Sequence, residues 1–372
     1  MANAGQQGEL NHHEPILRIV KRNSLPWWHN LLIRLAAVAL ALVICAVVIF
    51  GIVHLNPLLV YGSIWSGAFG TVNRTWVTIK ETAFLLCIAV GLAPAFKMRF
   101  WNIGAEGQIL MGGVATAACM IYLSKMPSFL LLLVMLVASI LAGLIWGVIP
   151  AFFKARFNTN ETLFTLMMNY VAIQITSFCV AKWEHPAGSN SVGIINSGTK
   201  AGWFPEILGQ KYMLNMLLVL ILVVGVYLYM HRSKHGYEIA VVGESENTAR
   251  YAGINVRKVI LRTMCVSGAI CGLSGFIAVA GSGHTISITT GGGRGFTAII
   301  VAWLAKFNTF VMILIALLLV FLERGASQIA SQYNLNEYAS KILIGIILFF
   351  ILGSEFFVQY RLVFKERRGG RA

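Results

Sequence analysis

The 372-residue chain is 58% hydrophobic and only 12% charged, with a mean hydropathy of +0.75. Soluble domains run about 45–50% apolar and about 25% charged, so a soluble globular protein is excluded. The formal net charge of +15 would suit nucleic acid, but the basic residues stand at the ends of apolar blocks, where they face lipid headgroups.

In chain order, residues 1–30 read as an N-terminal cytoplasmic arm ending in KRNSLPWWHN. The apolar run that follows exceeds a signal-peptide core of about 7–15 residues and reads as a retained anchor. A bilayer crossing needs about 20 apolar residues. On that measure the sequence predicts spans near 31–53, 77–96, 102–122, 128–153, 160–181, 212–230, 259–280, 296–305, 309–327 and 338–357. A loop with Asn56-Pro57 and Arg74 separates the first two, and a polar stretch at 182–211 separates the fifth and sixth. The third span opens on polar and glycine residues and the eighth is short, so these two are expected to be broken or re-entrant. The fold class is therefore all-α: a polytopic membrane helix bundle of about ten spans over 31–357, followed by a basic cytoplasmic tail at 358–372. Twenty Lys and Arg residues then fall on the side of the N-terminus and six on the other. That bias places both termini in the cytoplasm.

The longest charged stretch is His231–Arg262, HRSKHGYEIAVVGESENTARYAGINVRKVILR. Hydrocarbon cannot solvate it, so residues 231–262 are a cytoplasmic loop. At its centre Ser245 suits a helix cap, Glu246 the positive N-terminal end, Arg250 the last turn and Gly253 the stop. A helix of about two turns is predicted there, displayed on the cytoplasmic surface.

Catalytic signatures are absent. There is no GxxxxGK[ST] phosphate loop, because GGGRGFT at 291–297 lacks the Lys-Ser/Thr, and no HExxH or GxSxG occurs. The eight histidines are scattered, and the six cysteines lie in apolar blocks without CxxC spacing, so no catalytic set, metal site or disulfide framework is expected.

Polar residues inside apolar blocks are the candidates for function. In MRFWNIGAEGQILMGG, 98–113, Asn102, Glu106 and Gln108 sit among Gly104, Gly107 and Gly112. A carboxylate there needs a partner or a wet cavity, and the glycines permit unwound backbone, so either a translocation path or structural pairing accounts for it. In FNTNETLFTLMMNY, 157–170, Thr159 or Asn160 can cap the fifth span, with Glu161 in the first turn. Glu161, Thr165 and Asn169 recur at i, i+4 and i+8, a stripe that points into the bundle. In the glycine-rich 281–306 segment, Arg294 either meets an anionic group or snorkels to an interface. Gly143 with Gly147, and Gly268 with Gly272, have the small-xxx-small spacing of close helix contacts.

Together FWNIGAEGQILMGG (100–113), FNTNETLFTLMMNY (157–170), GESENTARYAGINVRK (243–258) and GFTAIIVAWLAKFN (295–308) resemble the permease subunits of bacterial ATP-binding-cassette importers for nucleosides and simple sugars. The resemblance lies within the branched-chain-amino-acid-like permease superfamily and runs over roughly residues 75–355. It implies a multi-pass protein of the bacterial cytoplasmic (inner) membrane, without an ATPase site of its own. Its partners would be an ATP-binding subunit, a second homologous permease, an extracytoplasmic substrate-binding protein and membrane lipid, with no nucleic acid. ATP would be bound by the partner ATPase, so no cofactor is expected on this chain. The resemblance makes Gly243, Glu244, Ser245, Asn247, Arg250, Tyr251 and Gly253 the ATPase-coupling segment, with Ser245-Glu246 where the family often has Asn-Pro. Asn102, Glu106, Gln108, Asn160, Glu161, Asn169 and Arg294 become candidates for the path or gate. An ion-coupled secondary transporter using Glu106 and Glu161 is the alternative, and a non-transporting scaffold a third class.

Overall fold

A computed structural model describes residues 17–21, 26–53, 56–186, 188–334 and 337–364. They fall into two compact units, residues 1–64 with 326–372, and residues 65–325. Most of the predicted arm (1–16 and 22–25) and the end of the basic tail (365–372) lie outside the described residues.

In the first unit, α1 (Trp27–Val48) runs into a π turn at Ile49–Val53 and packs against α13 (Glu337–Gln359). Strand β1 (Leu17–Lys21) pairs antiparallel with β2 (Tyr360–Phe364), Leu17 opposite Phe364 and Lys21 opposite Tyr360. This pair departs from the all-α expectation. It joins one piece of the arm to one of the tail, and elsewhere the described elements are helical. The helix α2 (Pro57–Phe69), whose residues divide between the two units, replaces the expected loop. Pro57 takes the first helical position, where its missing N–H is not needed, and Asn56 Oδ1 accepts from Leu58 N–H at 3.0 Å.

The second unit is built on two interior helices, α3 (Val72–Lys97) and α10 (Val256–Ala278), whose buried residues run round their circumference. Helices apolar on all sides bury themselves in this way. Around them stand α4 (Ala105–Tyr122), α5 (Ser128–Phe157), α6 (Glu161–Trp183) and α7 (Met213–Arg232). Helix α5 buries only Leu131, Met135, Ser139, Gly143, Gly147, Pro150 and Ala151, a narrow stripe near i+4 spacing. Its other faces expose Phe129, Leu133, Val137, Leu141 and Ile145, as hydrocarbon solvent allows. A Cβ on Gly272 of α10 would lie 2.3 Å from Ser139 O, and one on Gly143 2.3 Å from Gly268 O. The small-xxx-small residues of α5 and α10 thus meet backbone to backbone.

The charged loop forms two helices, α8 (Lys234–Glu244) and α9 (Glu246–Tyr251), where the sequence indicated one. After α10 a π turn (Val279–Gly283) leads through the glycine-rich stretch to α11 (Arg294–Leu304) and then α12 (Thr309–Gln332), which divides between the units. Six described helices are long and apolar enough to cross a membrane: α3, α5, α6, α7, α10 with its π turn, and α12. Ten were expected. Helix α11 has 11 residues, a length of about 16 Å, half of a hydrocarbon core of about 30 Å. Helix α4 begins only after an unwound segment. Apolar stretches in α1 (Ala39–Gly51) and α13 (Gly345–Val358) are also short.

Candidate functional site

Between α3 and α4 the chain unwinds at 100–104. Arg99 takes a left-handed conformation (φ 61°) that ends α3. The freed backbone groups of this stretch would be costly at membrane depth, and polar side chains of α6 take up several of them. Thr165 Oγ1 accepts from Ile103 N–H at 3.2 Å, Asn169 Nδ2 donates to Ile103 O at 2.9 Å, and Asn169 Oδ1 accepts from Gly107 N–H at 2.9 Å. Within the segment, Asn102 Oδ1 accepts from Gly104 N–H at 3.1 Å. Asn102 and Gln108 bond reciprocally at 3.3 Å, and Asn102 Nδ2 also reaches Ser267 Oγ of α10 at 3.3 Å. Asn102, Gln108 and Asn169 are all buried. Two residues of the stripe read on α6, Thr165 and Asn169, are therefore the clasp of the unwound segment.

Glu106, buried in the first turn of α4, extends its carboxylate to the start of α11. Oε1 accepts from Gly293 N–H and Oε2 from Gly295 N–H, both at 2.9 Å. Two helix N-termini thus meet at one carboxylate, and its negative charge is favoured by the dipole of each. No side chain fits between: a Cβ on Gly291 would lie 2.2 Å from Glu106 Oε1, and one on Gly295 2.8 Å from Oε2.

Arg294 turns to other partners. Its guanidinium pairs with Glu81 at 2.7 Å and Glu323 at 3.3 Å, and donates to the Glu81 carbonyl at 3.2 Å. Glu81 also receives Lys80 (2.9 Å) and Arg324 (3.3 Å). This network was not singled out in the sequence, although Glu81, Glu323 and Arg324 all stand inside predicted spans, where charge is expensive without a partner. At the other end of α11, Trp303 stacks on Trp101 with ring centroids 5.4 Å apart.

Asn160 and Glu161 lie apart from this centre. Asn160 caps α6 through Leu163 N–H at 3.2 Å, and Glu161 pairs with Lys154 of α5 at 2.9 Å. No group of three or more His, Cys, Asp or Glu side chains suited to a metal occurs among the described residues.

The second cluster of candidates is the helix pair α8–α9. Ser245 Oγ accepts from Thr248 N–H at 3.3 Å, Arg250 pairs with Glu246 at 3.4 Å, and Gly253 (φ 75°) follows the helix. Asn247 is exposed and Tyr251 is 93% exposed. Gly243 and Glu244 belong to α8. There the bare Cα of Gly243 lies against the end of α3: a Cβ would come 2.1 Å from Lys97 O. Arg262 of α10 donates to Glu238 of α8 at 2.6 Å. The pair is thereby fixed to two interior helices while one face of α9 stays open.

Comparison with known proteins adds the family. The profile of the branched-chain amino acid transport system / permease component family matches residues 75–352. The guanosine ABC transporter permease protein NupP of Bacillus subtilis is 30% identical over 298 residues, covering 79% of this chain and 85% of that protein. The glucose ABC transporter permease protein TsgB13 of Haloferax volcanii is 26% identical, covering 96% of each chain. The nucleoside ABC transporter permease protein NupB of Lactococcus lactis is 23% identical, covering 87% of this chain and 90% of that protein. No solved structure matches. The chain belongs to this family of membrane permeases.

Proposed function

We propose, from that membership, that the chain is the membrane-spanning permease subunit of an ATP-binding-cassette importer for nucleosides or simple sugars. Two of the three relatives named above are described as nucleoside or guanosine permeases and the third as a glucose permease. The observation that carries the reading is α9: a short, capped helix with an exposed face, following α8, which is braced on α3 through Gly243 and on α10 through the Glu238–Arg262 pair. In this reading a separate ATPase subunit binds ATP and docks on α9, and neither cofactor nor catalytic group is needed on this chain. A second homologous permease completes the path, an extracytoplasmic binding protein delivers the cargo, and the assembly sits in the bacterial cytoplasmic membrane. Both termini and α8–α9 face the cytoplasm, following the Lys/Arg bias.

Movement of α9 would reach α10 directly and α3 through α8. Helix α10 touches Asn102 through Ser267, and Asn102 anchors the segment that presents Glu106 to α11. Asn102, Glu106, Gln108, Asn160, Glu161, Asn169 and Arg294 are proposed to set the geometry of the path or gate. The ion-coupled alternative asks Glu106 and Glu161 to exchange protons or cations, whereas each already has tight partners. The test is purification of the tagged chain in mild detergent with identification of what accompanies it. An ATPase and a second permease should co-purify, and Arg250→Ala with Tyr251→Ala should release the ATPase while membrane levels of the chain hold. A chain found alone would end the importer reading.

A further inference from the structure

Where the C-terminal end of α5 meets α9 and the start of α10, a groove of about 500 Å³ is lined by Lys154, Arg156, Arg250 and Arg257, with Glu246 as its one acidic residue. Lys154 is paired with Glu161 and Arg250 with Glu246. Arg156 and Arg257 are exposed and have no acidic partner among the described residues. Arginine stays charged at any physiological pH and offers a planar fork of donors to phosphate oxygens.

Beside it on α6 is a second hollow of about 490 Å³, apolar, formed by Leu163, Phe164, Met167, Met168 and Val171 with Asn160 at its edge. Asn158 lines the basic groove and Asn160 the apolar one, so residues two apart in the chain contribute to both. Two contacts tie the corner together: Lys154 pairs with Glu161 at 2.9 Å, and the Phe153 and Phe164 rings stack at 4.9 Å. Around it Phe152, Phe157, Leu163 and Met167 are at least half exposed. A cationic groove with an apolar trough on the following helix is complementary to a molecule with an anionic head and a hydrocarbon tail. A free anion would use only the first part, and a neutral lipid only the second.

We infer that this α5–α6 corner is a binding site for an anionic phospholipid, with its phosphate on Arg156 and Arg257 and an acyl chain along Leu163, Met167 and Val171. Its place at the foot of a span, on the side given to the cytoplasm by the charge bias, is where basic pockets meet lipid headgroups. Arg250 and Glu246 belong to α9, so the bound lipid would touch the base of that helix.

The full chain, extracted in mild detergent, is titrated with phosphatidylglycerol, phosphatidylcholine or inorganic phosphate, and retained lipid is read by native mass spectrometry. Phosphatidylglycerol should be retained in preference to phosphatidylcholine. Arg156→Gln with Arg257→Gln should weaken its retention by about ten- to thirtyfold, and Leu163→Asn should weaken it independently through the tail. Lys182→Gln, at the far end of α6, is expected to change nothing. Both arginines are exposed, so an unaltered thermal transition should confirm that the double variant folds. Equal retention of phosphatidylcholine, an unaffected double variant, or full displacement by inorganic phosphate would overturn the assignment. So would cross-linking of the assembled importer that finds a protein segment in the groove.

Discussion

Replacing Glu106 by Gln and by Ala separates a fixed structural carboxylate from a proton carrier. In Glu106→Ala the N–H groups of Gly293 and Gly295, each now 2.9 Å from an oxygen, lose their acceptor at a helix terminus where Gly295 is buried and Gly293 exposed. Hydrogen bonds to a charged group contribute roughly 1.5–3 kcal/mol each, so the loss is about 3–6 kcal/mol. Gln retains one acceptor oxygen but sets an amide N–H₂ against the second N–H and removes the charge favoured by the two dipoles. Its cost should be about half that of Ala. The assay is thermal unfolding of the purified chain in detergent, with transport of labelled nucleoside measured between pH 5.5 and 8. The expected order of stability is wild type, Gln, Ala, with no new pH dependence of transport in the Gln variant. Should Gln match the wild-type transition and Ala fall within about 1 kcal/mol of it, the cap is not what holds α11. Loss of a pH dependence present in the wild type would move the carboxylate into the transport chemistry.

Three further outcomes follow from the same geometry. Gly272→Ala places a methyl 2.3 Å from Ser139 O, forcing α5 and α10 apart at a cost of about 3 kcal/mol; folded yield in detergent should fall sharply, and an unaffected yield would contradict the close approach. Glu81→Met strands Arg294 with the more exposed Glu323 and should cost about 2–4 kcal/mol, below the full cost of breaking an isolated buried pair because a partner remains. Arg294→Met in addition should cost less than the sum of the two single changes, and additivity in that cycle would deny the pairing. The hydrogen bond from Arg262 holds the Glu238 carboxyl below its usual 4.5. A lowered folded-state value means that the stabilisation is present above about pH 4.5 and disappears as pH falls through the lowered value. Glu238→Gln should therefore destabilise at pH 7 and flatten the acid limb of the stability profile.

What could be read from the sequence was mostly local. Helix α9 was legible because Ser245, Glu246, Arg250 and Gly253 are each next to the backbone they cap. Helix α8 was not, since KHGYEIAVVGE contains two glycines and is held by contact with α3, which no local pattern encodes. Helix α2 had its signal in Asn56-Pro57, a cap followed by a proline at the first position, read instead as a loop. The α6 stripe was legible as a period, but its partners at 103 and 107 lie more than sixty residues earlier. The pairing of Leu17–Lys21 with Tyr360–Phe364 joins near-opposite ends of the chain and has no local trace. The Glu81 network could have been found by asking what neutralises every charge inside an apolar block.

Asn102 and its partner Ser267 are separated by 165 residues, and Gly143 and Gly268, which meet in the seam of α5 and α10, by 125. At roughly 5–20 residues per second of synthesis, α4 and α5 wait on the order of 10–30 s in the bilayer before the helix that covers them is made. Throughout that interval a polar, glycine-lined furrow faces lipid or whatever the insertion machinery supplies. The order in which the ribosome delivers these helices makes the newborn chain most vulnerable where the finished protein is most tightly packed.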